Sequence, residues 1–455
     1  MNRTFINRIE ELNFLDGKFK SNKFEFLLLY GRRRIGKTEV IKKFISEKDA
    51  VYFLCDKKGT EDNLERFKKA LSAFFNEPKI ASQDLEEIFN YVVKKDKKIV
   101  LVFDEFSYLV EADKSIPSVF QRSIDQVLIS SKVMLIICGS SISMMESLLG
   151  YKNPLYGRKT GHWKVLPLSL KELKKFYPKY SLSQLIEAWS ILGGIPFYLE
   201  NFDDSLSIQK NVEKTIFNKS GRLYEEIDFI LKEELREPNV YKSILESISK
   251  GKNRTIEISD FSKIRVNDLD RYLKVLIQLG IIKREFPITE NKSKRSQYVF
   301  IDNFFNFWFR FCESNKSYLE ISKLDTVSME FEKNFNSYVG RKFETICQSL
   351  LHYSNIGRWW GNYREGAIKK ILEIDIIGLN EETKEILFGE CKWSEKVDAK
   401  LILAKLKEKA KYVEWNNKDR KERYAIFAKS FKEKIKEDHL LLFDFEDLEK
   451  TLMRK

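Results

Sequence analysis

The sequence predicts a multidomain α/β protein, and three observations carry that prediction. Residues 26–168 alternate apolar strand patterns with amphipathic helical patterns, as a parallel sheet requires. The first of these strands runs directly into a glycine-containing segment, residues 31–38. Strand and helix patterns alternate again over residues 337–455. At 455 residues the chain has room for about three domains.

The N-terminal strands are predicted from short apolar runs, and the helices from apolar residues spaced three and four apart. The predicted strands are Phe26–Tyr30, Val51–Cys55, Ile99–Phe103, Val133–Cys138 and Lys164–Leu168. The predicted helices lie between them at 38–47, 61–75, 83–94, 115–130 and 142–149. A parallel sheet with covering helices follows from this alternation.

The middle of the chain is predicted to be mainly helical. Helical patterns continue to residue 237 with one break at the Gly-Gly-Ile-Pro turn, residues 193–196. Helices at 241–250, 259–263 and 266–279 then precede two strands, which is the order of a winged helix. The strands are predicted at 281–286 and 298–301, and an aromatic-rich helical connector at 304–336. The last unit is predicted as helix 338–353, strands 371–378 and 385–393, helix 398–412, and strands 423–428 and 440–444.

Composition limits the class of protein. Hydrophobic residues make up 43% of the chain, which is ample for packed cores. The five cysteines form no CxxC pair and the three histidines lie far apart, so we expect no zinc site and no disulfide framework. No apolar stretch is long enough to cross a membrane, and the first residues do not resemble a signal peptide. We therefore expect a cytoplasmic protein with no membrane partner.

The charge is strongly positive, at +13, and it is uneven along the chain. Residues 392–436 contain 15 basic and 7 acidic side chains. Such a surface attracts polyanions by releasing counterions, so DNA is an expected partner. A solvated lysine-rich face explains the same composition, and charge alone does not separate the two.

The segment after the first strand is a complete GxxxxGK[ST] phosphate loop. Its glycines let backbone N–H groups turn toward phosphates, and the following helix adds its positive N-terminus. The lysine reaches the β- and γ-phosphates, and the threonine hydroxyl ligates Mg²⁺. We expect ATP and Mg²⁺ here; the alternative is a simple glycine turn. The expected nucleotide-binding residues are Gly31, Arg32, Arg33, Arg34, Ile35, Gly36, Lys37, Thr38 and Glu39.

Two further segments supply the groups that phosphoryl transfer needs. The apolar strand at 99–103 ends in Asp104, expected to hold Mg²⁺, and Glu105, expected to deprotonate the attacking water. Ser140 follows the next strand and is either a γ-phosphate sensor or a helix N-cap. Arg158 is either a charge-stabilising finger, acting in cis or in trans, or an ordinary loop arginine.

These motifs resemble the archaeal ATPase family, AAA-like proteins related to the STAND NTPases. The matching runs are Phe5–Leu12 ahead of the phosphate loop, residues 155–158, residues 192–196 and residues 302–311. The resemblance implies that Arg8 lies in the adenine-binding lead-in and that Gly194 and Pro196 lie near the adenine; the alternative for Gly194 and Pro196 is a break between two lid helices. It also implies catalytic roles for Lys37, Thr38, Asp104 and Glu105. With it, the expected domains are an ATPase core at 1–168, a helical lid at 169–236, a winged helix at 237–303, a helical connector at 304–336 and a nuclease-like domain at 337–455.

The last domain carries a second set of charged residues on apolar strands. Strand alternation puts Glu373 and Asp375 on one face, and Glu390 and Lys392 on one face of the next strand. If the strands pair, the carboxylates converge and could hold Mg²⁺ or Mn²⁺. The arrangement resembles the PD-(D/E)xK nuclease core, whose helix–strand–strand–strand–helix–strand order matches residues 338–444. That resemblance adds Glu344 as a helical metal ligand.

Two functions remain open from the sequence. One is an ATP-driven enzyme that acts on DNA, with ATPase, winged helix and a metal-dependent nuclease in series. The other is a regulatory switch that binds DNA or a protein partner, or associates with itself, and whose nuclease-like domain is silent. A metabolic kinase is disfavoured, because nothing after the phosphate loop indicates a small-substrate pocket.

Overall fold

A computed structural model describes residues 5–78, 80–290, 295–365 and 368–452. The chain forms two compact units. Unit 1 comprises residues 1–167 and Ile195–Phe197, and unit 2 comprises residues 168–194 and 198–455. The finer division into five domains stays a prediction.

Unit 1 is built on a five-stranded parallel sheet, as the sequence predicts. The strands are β1 (Glu25–Tyr30), β2 (Ala50–Leu54), β3 (Val100–Asp104), β4 (Met134–Gly139) and β5 (Gly161–Lys164), in the order β2-β3-β4-β1-β5. The helices are α1 (Ile9–Phe19), α2 (Lys37–Ile45), α3 (Thr60–Phe75), α4 (Leu85–Val93), α5 (Ser107–Ala112), α6 (Ile116–Gln126) and α7 (Ile142–Leu148), with a 3₁₀ turn at Leu128–Ser130. β1, β3 and β4 are buried throughout, because helices cover both faces of the sheet.

The predicted fifth strand, Lys164–Leu168, is wrong in position. β5 ends at Lys164, and its four residues alternate between half-buried and exposed because it is the edge strand beside β1. The apolar residues used for the prediction, Val165 to Leu168, follow the strand. Val165 donates its N–H to the Tyr30 carbonyl oxygen at 2.7 Å, and Gly31 packs so closely there that a Cβ would lie 2.5 Å from the Val165 oxygen.

The first part of unit 2 is helical and leads into a hairpin. Three helices and the two-stranded antiparallel hairpin β6–β7 follow in the predicted order. The elements are α8 (Leu170–Phe176), α9 (Leu182–Leu192), α10 (Pro196–Leu199, shared with unit 1), α11 (Ile208–Val212), a π-helix at Glu213–Phe217, α12 (Glu226–Glu234), α13 (Pro238–Ser249), α14 (Thr255–Ser262), α15 (Val266–Gln278), β6 (Ile282–Glu285) and β7 (Gln297–Phe300).

The connector and the next helix differ from the prediction. Short helical segments lead to one helix of 26 residues, α18 (Leu324–Ser349), so the predicted helix 338–353 begins inside α18 and extends four residues beyond its end. The predicted boundary at 336/337 falls inside it. Tyr338 anchors the middle of this helix within unit 2, because its hydroxyl lies within hydrogen-bonding distance of the carbonyl oxygens of Ser190 and Asn303. The segments are α16 (Asn303–Phe307), a π-helix at Trp308–Cys312, a 3₁₀ turn at Glu313–Asn315, α17 (Lys316–Glu320) and α18 (Leu324–Ser349).

Unit 2 ends in a second five-stranded sheet, with the order β12-β11-β10-β9-β8. Strand pairing is antiparallel from β8 to β10 and parallel from β10 to β12. The strand that comes first along the chain, Asn355–Glu365, was not predicted, although the PD-(D/E)xK order requires three strands before the second helix. The elements are β8 (Asn355–Glu365), β9 (Ile368–Asn380), β10 (Glu385–Lys392), α19 (Ala399–Ala410), β11 (Lys421–Ala428), β12 (Leu440–Phe443) and α20 (Phe445–Leu452).

Candidate functional site

The carboxyl ends of β1, β3 and β4 meet at one edge of the first sheet. β4 lies between the other two strands, with Leu29 beside Cys138 and Phe103 beside Ile137. The phosphate loop after β1, the acidic pair at the end of β3 and Ser140 after β4 are therefore neighbours. Open α/β sheets bind ligands at this edge.

The phosphate loop turns back over the start of α2. Gly36 has φ +93° and Arg34 has φ +67°, both in the left-handed region that reverses the chain direction. Lys37 is 6% exposed, and its ammonium donates to the carbonyl oxygens of Gly31 at 2.9 Å and Arg32 at 3.0 Å. Its charge is thus held within the loop at the N-terminus of a nine-residue helix, where an anion is stabilised.

Asp104 is a buried carboxylate held by neutral donors. Its Oδ2 accepts from the hydroxyls of Thr38 at 2.8 Å and Tyr52 at 2.6 Å, and its Oδ1 accepts from the Glu105 N–H at 2.9 Å. Burial, reinforced by the bond to Asp104, raises the pKa of Tyr52 far above its ordinary value, so the phenol remains a donor. A hydroxyl and a carboxylate 2.8 Å apart are hard oxygen donors that fit Mg²⁺.

Glu105 turns out of the strand toward the end of β4. Its φ of +52° is uncommon for a residue with a side chain. The carboxylate accepts from the Ser140 hydroxyl at 2.8 Å and from the Ser140 N–H at 3.3 Å. The N-cap position of α7 belongs to Ser141, so the N-cap alternative for Ser140 is wrong. Ser140 instead donates to Glu105, the expected general base, and its role as a γ-phosphate sensor stays a prediction.

Arg8 and the segment Ile195–Phe197 pack against the phosphate loop inside unit 1. The Arg8 guanidinium is buried and donates to the carbonyl oxygens of Ile35 at 2.9 Å and Leu166 at 2.7 Å. A Cβ on Gly36 would lie 3.9 Å from Pro196, and the Arg34 guanidinium lies 3.9 Å above the Phe197 ring. These contacts place Arg8 and Pro196 beside the loop; contact with adenine stays a prediction.

Gly194 has a steric role in unit 2. A Cβ there would lie 1.8 Å from the carbonyl oxygen of Leu168, so any side chain at this position would clash unless the backbone moved. The Leu168 N–H donates to the Gly194 oxygen at 2.8 Å, which fixes this close approach. The glycine is therefore explained by packing, whatever its relation to adenine.

The remaining predicted residues of unit 1 have other partners. Arg158 makes a forked ion pair with Asp125, with contacts of 3.0 to 3.3 Å, so a role as a finger would require this pair to open. Arg33 donates to the Tyr108 hydroxyl at 3.3 Å, and Ile35 is fully buried. Glu39 lies 3.9 Å from Lys42 on the exposed side of α2.

A second group of acids converges in unit 2. Gly389 of β10 pairs with Ile376 of β9, so Glu390 and Asp375 are the next residues on the two strands. Asp375 accepts from the Cys391 N–H at 2.9 Å. Burial, and then the charge of Glu390, raise the pKa of Asp375. Burial and the charge of Asp375 raise the pKa of Glu344 to about 8.

These acids are already paired with cations. Glu390 accepts from Lys392 at 2.8 Å and from Lys409 at 2.9 Å. Glu344 and Glu373 each lie 3.4 Å from the guanidinium of Arg358 on β8. Over the described residues, no three His, Cys, Asp or Glu side chains are grouped closely enough to hold a metal ion. The predicted acids therefore lie near one another without forming a metal-binding group, and Glu344, Glu373 and Glu390 are paired with cations.

Sequence reasoning missed Tyr52, Arg358 and Lys409. Tyr52 is a polar-tipped residue in an apolar strand, and its position two residues before the carboxyl end was a usable signal. Arg358 lies in the strand that was not predicted, and Lys409 lies in a helix with many lysines. Neither cation had a pattern that distinguished it from its neighbours.

The fold and the first site define a P-loop ATPase domain. Residues 5–202 match the family described as an ATPase domain predominantly from Archaea, and residues 308–408 match a family described as archaeal and bacterial proteins of unknown function. An uncharacterized protein of Methanocaldococcus jannaschii is 39% identical over 458 residues, covering 97% of this chain and 99% of that protein. The chain belongs to this archaeal ATPase family.

Two further matches concern the N-terminal region and the fold. A protein of the same organism, described as an uncharacterized ATP-binding protein, is 57% identical over 44 residues, which is 10% of this chain and 75% of that protein. The structure of a Walker-type ATPase of Pyrococcus abyssi aligns with a TM-score of 0.53 at 22% identity, over 67% of this chain and 96% of that chain. That likeness shows the shared fold.

No helix in the described ranges is both long enough and apolar enough to cross a bilayer. All five cysteines are free and buried.

Proposed function

We propose that this protein binds ATP with Mg²⁺ at the edge of the first sheet and hydrolyses it there. The observation that carries the proposal is the placement of Asp104 against Thr38, next to Glu105 held by Ser140. Hydrolysis needs a cation on the phosphates, a metal holder and a base for water, and these are the three groups that meet at this edge.

Each residue has a distinct task in this proposal. Lys37 exchanges its bonds to the loop carbonyls for the β- and γ-phosphates. Thr38 and Asp104 hold Mg²⁺, which neutralises charge on the phosphates when it is bound. Glu105 takes the proton of the attacking water, and the Ser140 bond fixes the direction of its carboxylate.

The test is Mg²⁺-dependent ATP hydrolysis by the purified full chain. Lys37→Ala is expected to abolish ATP binding and turnover, because the phosphates lose their main cation. Lys43→Ala is the matched control, because it removes an exposed lysine from the same helix. Full turnover by Lys37→Ala would refute the proposed site.

We further propose that ATP turnover is coupled to DNA binding by unit 2. The order of α13, α14, α15, β6 and β7 is that of a winged helix, and residues 392–436 carry the largest basic excess. The candidate phosphate contacts on α15 are Arg271, which donates to the Tyr272 hydroxyl, and Lys274, which pairs with Asp270; both lie at exposed positions. The candidate contacts in the hairpin loop are Lys292 and Lys294, which lie outside the described residues, and Arg295, which donates to the Trp360 carbonyl oxygen.

A second candidate function is metal-dependent cleavage of DNA by the C-terminal sheet. It is favoured by the placement of Asp375 and Glu390 on adjoining strands, by the charge interaction between Asp375 and Glu344, and by the order of α18, β8, β9, β10, α19 and β11. The ion pairs of these acids favour the alternative, a silent nuclease-like domain in a regulatory switch that binds DNA or a protein partner. For cleavage, Mg²⁺ or Mn²⁺ would have to displace the lysine and arginine partners.

A plasmid assay separates these two versions. Wild-type protein is incubated with supercoiled plasmid and Mn²⁺, with and without ATP, beside Asp375→Ala. A cleaving domain nicks the plasmid and loses this activity in Asp375→Ala. Asp438→Ala is the control, because it removes an exposed acid from the same unit. If the plasmid stays intact under all conditions, or if Asp375→Ala nicks it as well as wild type does, cleavage by this domain is rejected and the silent nuclease-like domain is supported.

A further inference from the structure

The edge of the C-terminal sheet is covered by the β6–β7 hairpin. β8 is an edge strand, and edge strands present unpaired N–H and C=O groups. Here the Ile288 N–H, just after β6, donates to the Arg358 carbonyl oxygen at 3.0 Å. Just before β7, the Arg295 carbonyl oxygen accepts from the Trp360 indole at 2.9 Å, and the Arg295 guanidinium donates to the Trp360 oxygen at 3.3 Å. The hairpin is thus bonded to β8 on both sides of its connecting loop.

The same hairpin supplies a carboxylate to Arg358. The register of β8 shifts between Gly357 and Trp359, and such a bulge re-aims the side chain at its centre. The Arg358 guanidinium lies 3.6 Å from Glu285 of β6, and 3.4 Å from both Glu344 and Glu373. A cation from β8 is therefore shared by three acids, one of which belongs to the hairpin.

These ion pairs leave hydrogen-bonding groups unused. Glu285 Oε2 and Arg358 Nε are buried and lack a hydrogen-bond partner. The guanidinium has a planar fork of donors that matches the two oxygens of one carboxylate or one phosphate. None of its contacts here with Glu285, Glu344 and Glu373 has that paired geometry. A phosphodiester that bound the fork with two oxygens would satisfy Arg358 better.

We propose that Arg358 is a phosphodiester-binding residue for duplex DNA, and that Glu285 occupies it while the hairpin is docked on β8. The inference rests on the proposed DNA binding of unit 2. The Glu285 carboxylate takes the place of a backbone phosphate, because both are anions that present two oxygens. DNA binding then requires the hairpin to leave β8, which frees Arg358 and the hairpin backbone together.

A reversible crosslink tests whether the hairpin has to move. A Cβ on Gly357 would lie 3.6 Å from the Ile288 Cβ, within the range of a disulfide, so the pair Ile288→Cys and Gly357→Cys can lock the hairpin to β8. Binding of a fluorescent DNA duplex is measured by anisotropy at low salt before and after reduction. We expect the oxidised protein to bind about tenfold more weakly, the worth of a charged hydrogen bond.

Ile288→Cys alone, treated with the same oxidant, is the control, and the five native cysteines are buried. Equal binding by the oxidised and reduced forms would overturn the inference. Failure of the disulfide to form would also overturn it, because the docked hairpin brings these two positions together.

Single substitutions test the exchange at Arg358. Glu285→Gln is expected to increase DNA affinity, and Arg358→Gln to decrease it and to lower the slope of log K against log salt by about one. Glu246→Gln makes the same charge change in α13, where Glu246 pairs with Lys250. If Glu285→Gln changes affinity no more than Glu246→Gln, the inference fails while DNA binding stands. If wild type and all variants bind no duplex at low salt, the proposed DNA function fails and the inference with it.

Discussion

The two acidic groups of this protein differ in what holds them. At the edge of the first sheet, Asp104 and Glu105 accept hydrogen bonds from hydroxyls and backbone N–H groups. In the C-terminal sheet, Glu390 and Glu344 lie against lysine and arginine. Neutral donors orient a carboxylate and leave its charge available to a metal, whereas cations cancel that charge. Convergence of acids therefore does not by itself indicate a working metal site.

The difference also has an energetic side. A buried carboxylate without a cation is costly unless several donors stabilise it, and Asp104, 1% exposed, has three. The ion pairs of the C-terminal acids do not remove that cost, because burial still raises the pKa of Glu344 and of Asp375, and these pairs would have to open before a metal could bind.

The largest effect is expected from a substitution in the first acidic group, Asp104 and Glu105. Glu105→Gln keeps the hydrogen bond to Ser140 but removes the base, so turnover is expected to fall by about 10² to 10⁴ while ATP stays bound. Single-turnover hydrolysis and nucleotide-binding titrations measure the two quantities separately.

Glu111→Gln is the control for this change. Glu111 is an exposed acid on α5, only six residues further along the chain. We expect it to hydrolyse ATP at the wild-type rate. Undiminished hydrolysis by Glu105→Gln would remove Glu105 from the role of base.

The next largest effect is on stability, and it comes from removing a cation partner of the acids in the C-terminal sheet. Lys409→Met removes one of the two cations on Glu390, whose side chain is 10% exposed, and is expected to lower the free energy of unfolding by about 1–3 kcal/mol. Denaturant titration followed by tryptophan fluorescence reports this loss, because Trp393 lies in the same unit.

Two variants sharpen this stability test. Lys405→Met removes an exposed lysine from the same helix and is expected to leave stability within about 0.5 kcal/mol. Adding Glu390→Gln to Lys409→Met is expected to recover part of the loss, because the unpaired charge disappears with it. If Lys409→Met is as stable as wild type, the ion pair with Lys392 alone is enough to stabilise the Glu390 carboxylate.

The sequence located the first group well because its signals are local. A glycine-rich octet after an apolar strand and an acidic pair at the end of another specify both type and place, since parallel strands end at one edge. Tyr52 was missed, although it lies near the carboxyl end of a strand, because most tyrosines within strands are packing residues. Its bond to Asp104 depends on strand order, which places β2 beside β3.

The second group shows where local signals end. Alternation along β9 and β10 put Asp375 and Glu390 together, and their pairing follows from the short turn between these strands. The charge state of the acids depends on Arg358, from a strand with a bulge, and on Lys409, from a helix nineteen residues past Glu390. Neither partner is determined by spacing, because each comes into contact only when the sheet is assembled.

The smallest expected effect sharpens the comparison at Asp104 itself. Tyr52→Phe removes one of three donors and leaves Thr38 and the Glu105 N–H in place. If neutral donors mainly orient Asp104, the Mg²⁺ concentration for half-maximal turnover should rise by about threefold to tenfold, with little change in the maximal rate. Tyr91→Phe is the control, because it removes a hydroxyl that contacts Glu77 elsewhere in unit 1. A large fall in maximal rate with unchanged Mg²⁺ dependence would instead show that Tyr52 acts on the chemical step, and the two carboxylate groups would then differ in more than their partners' charge.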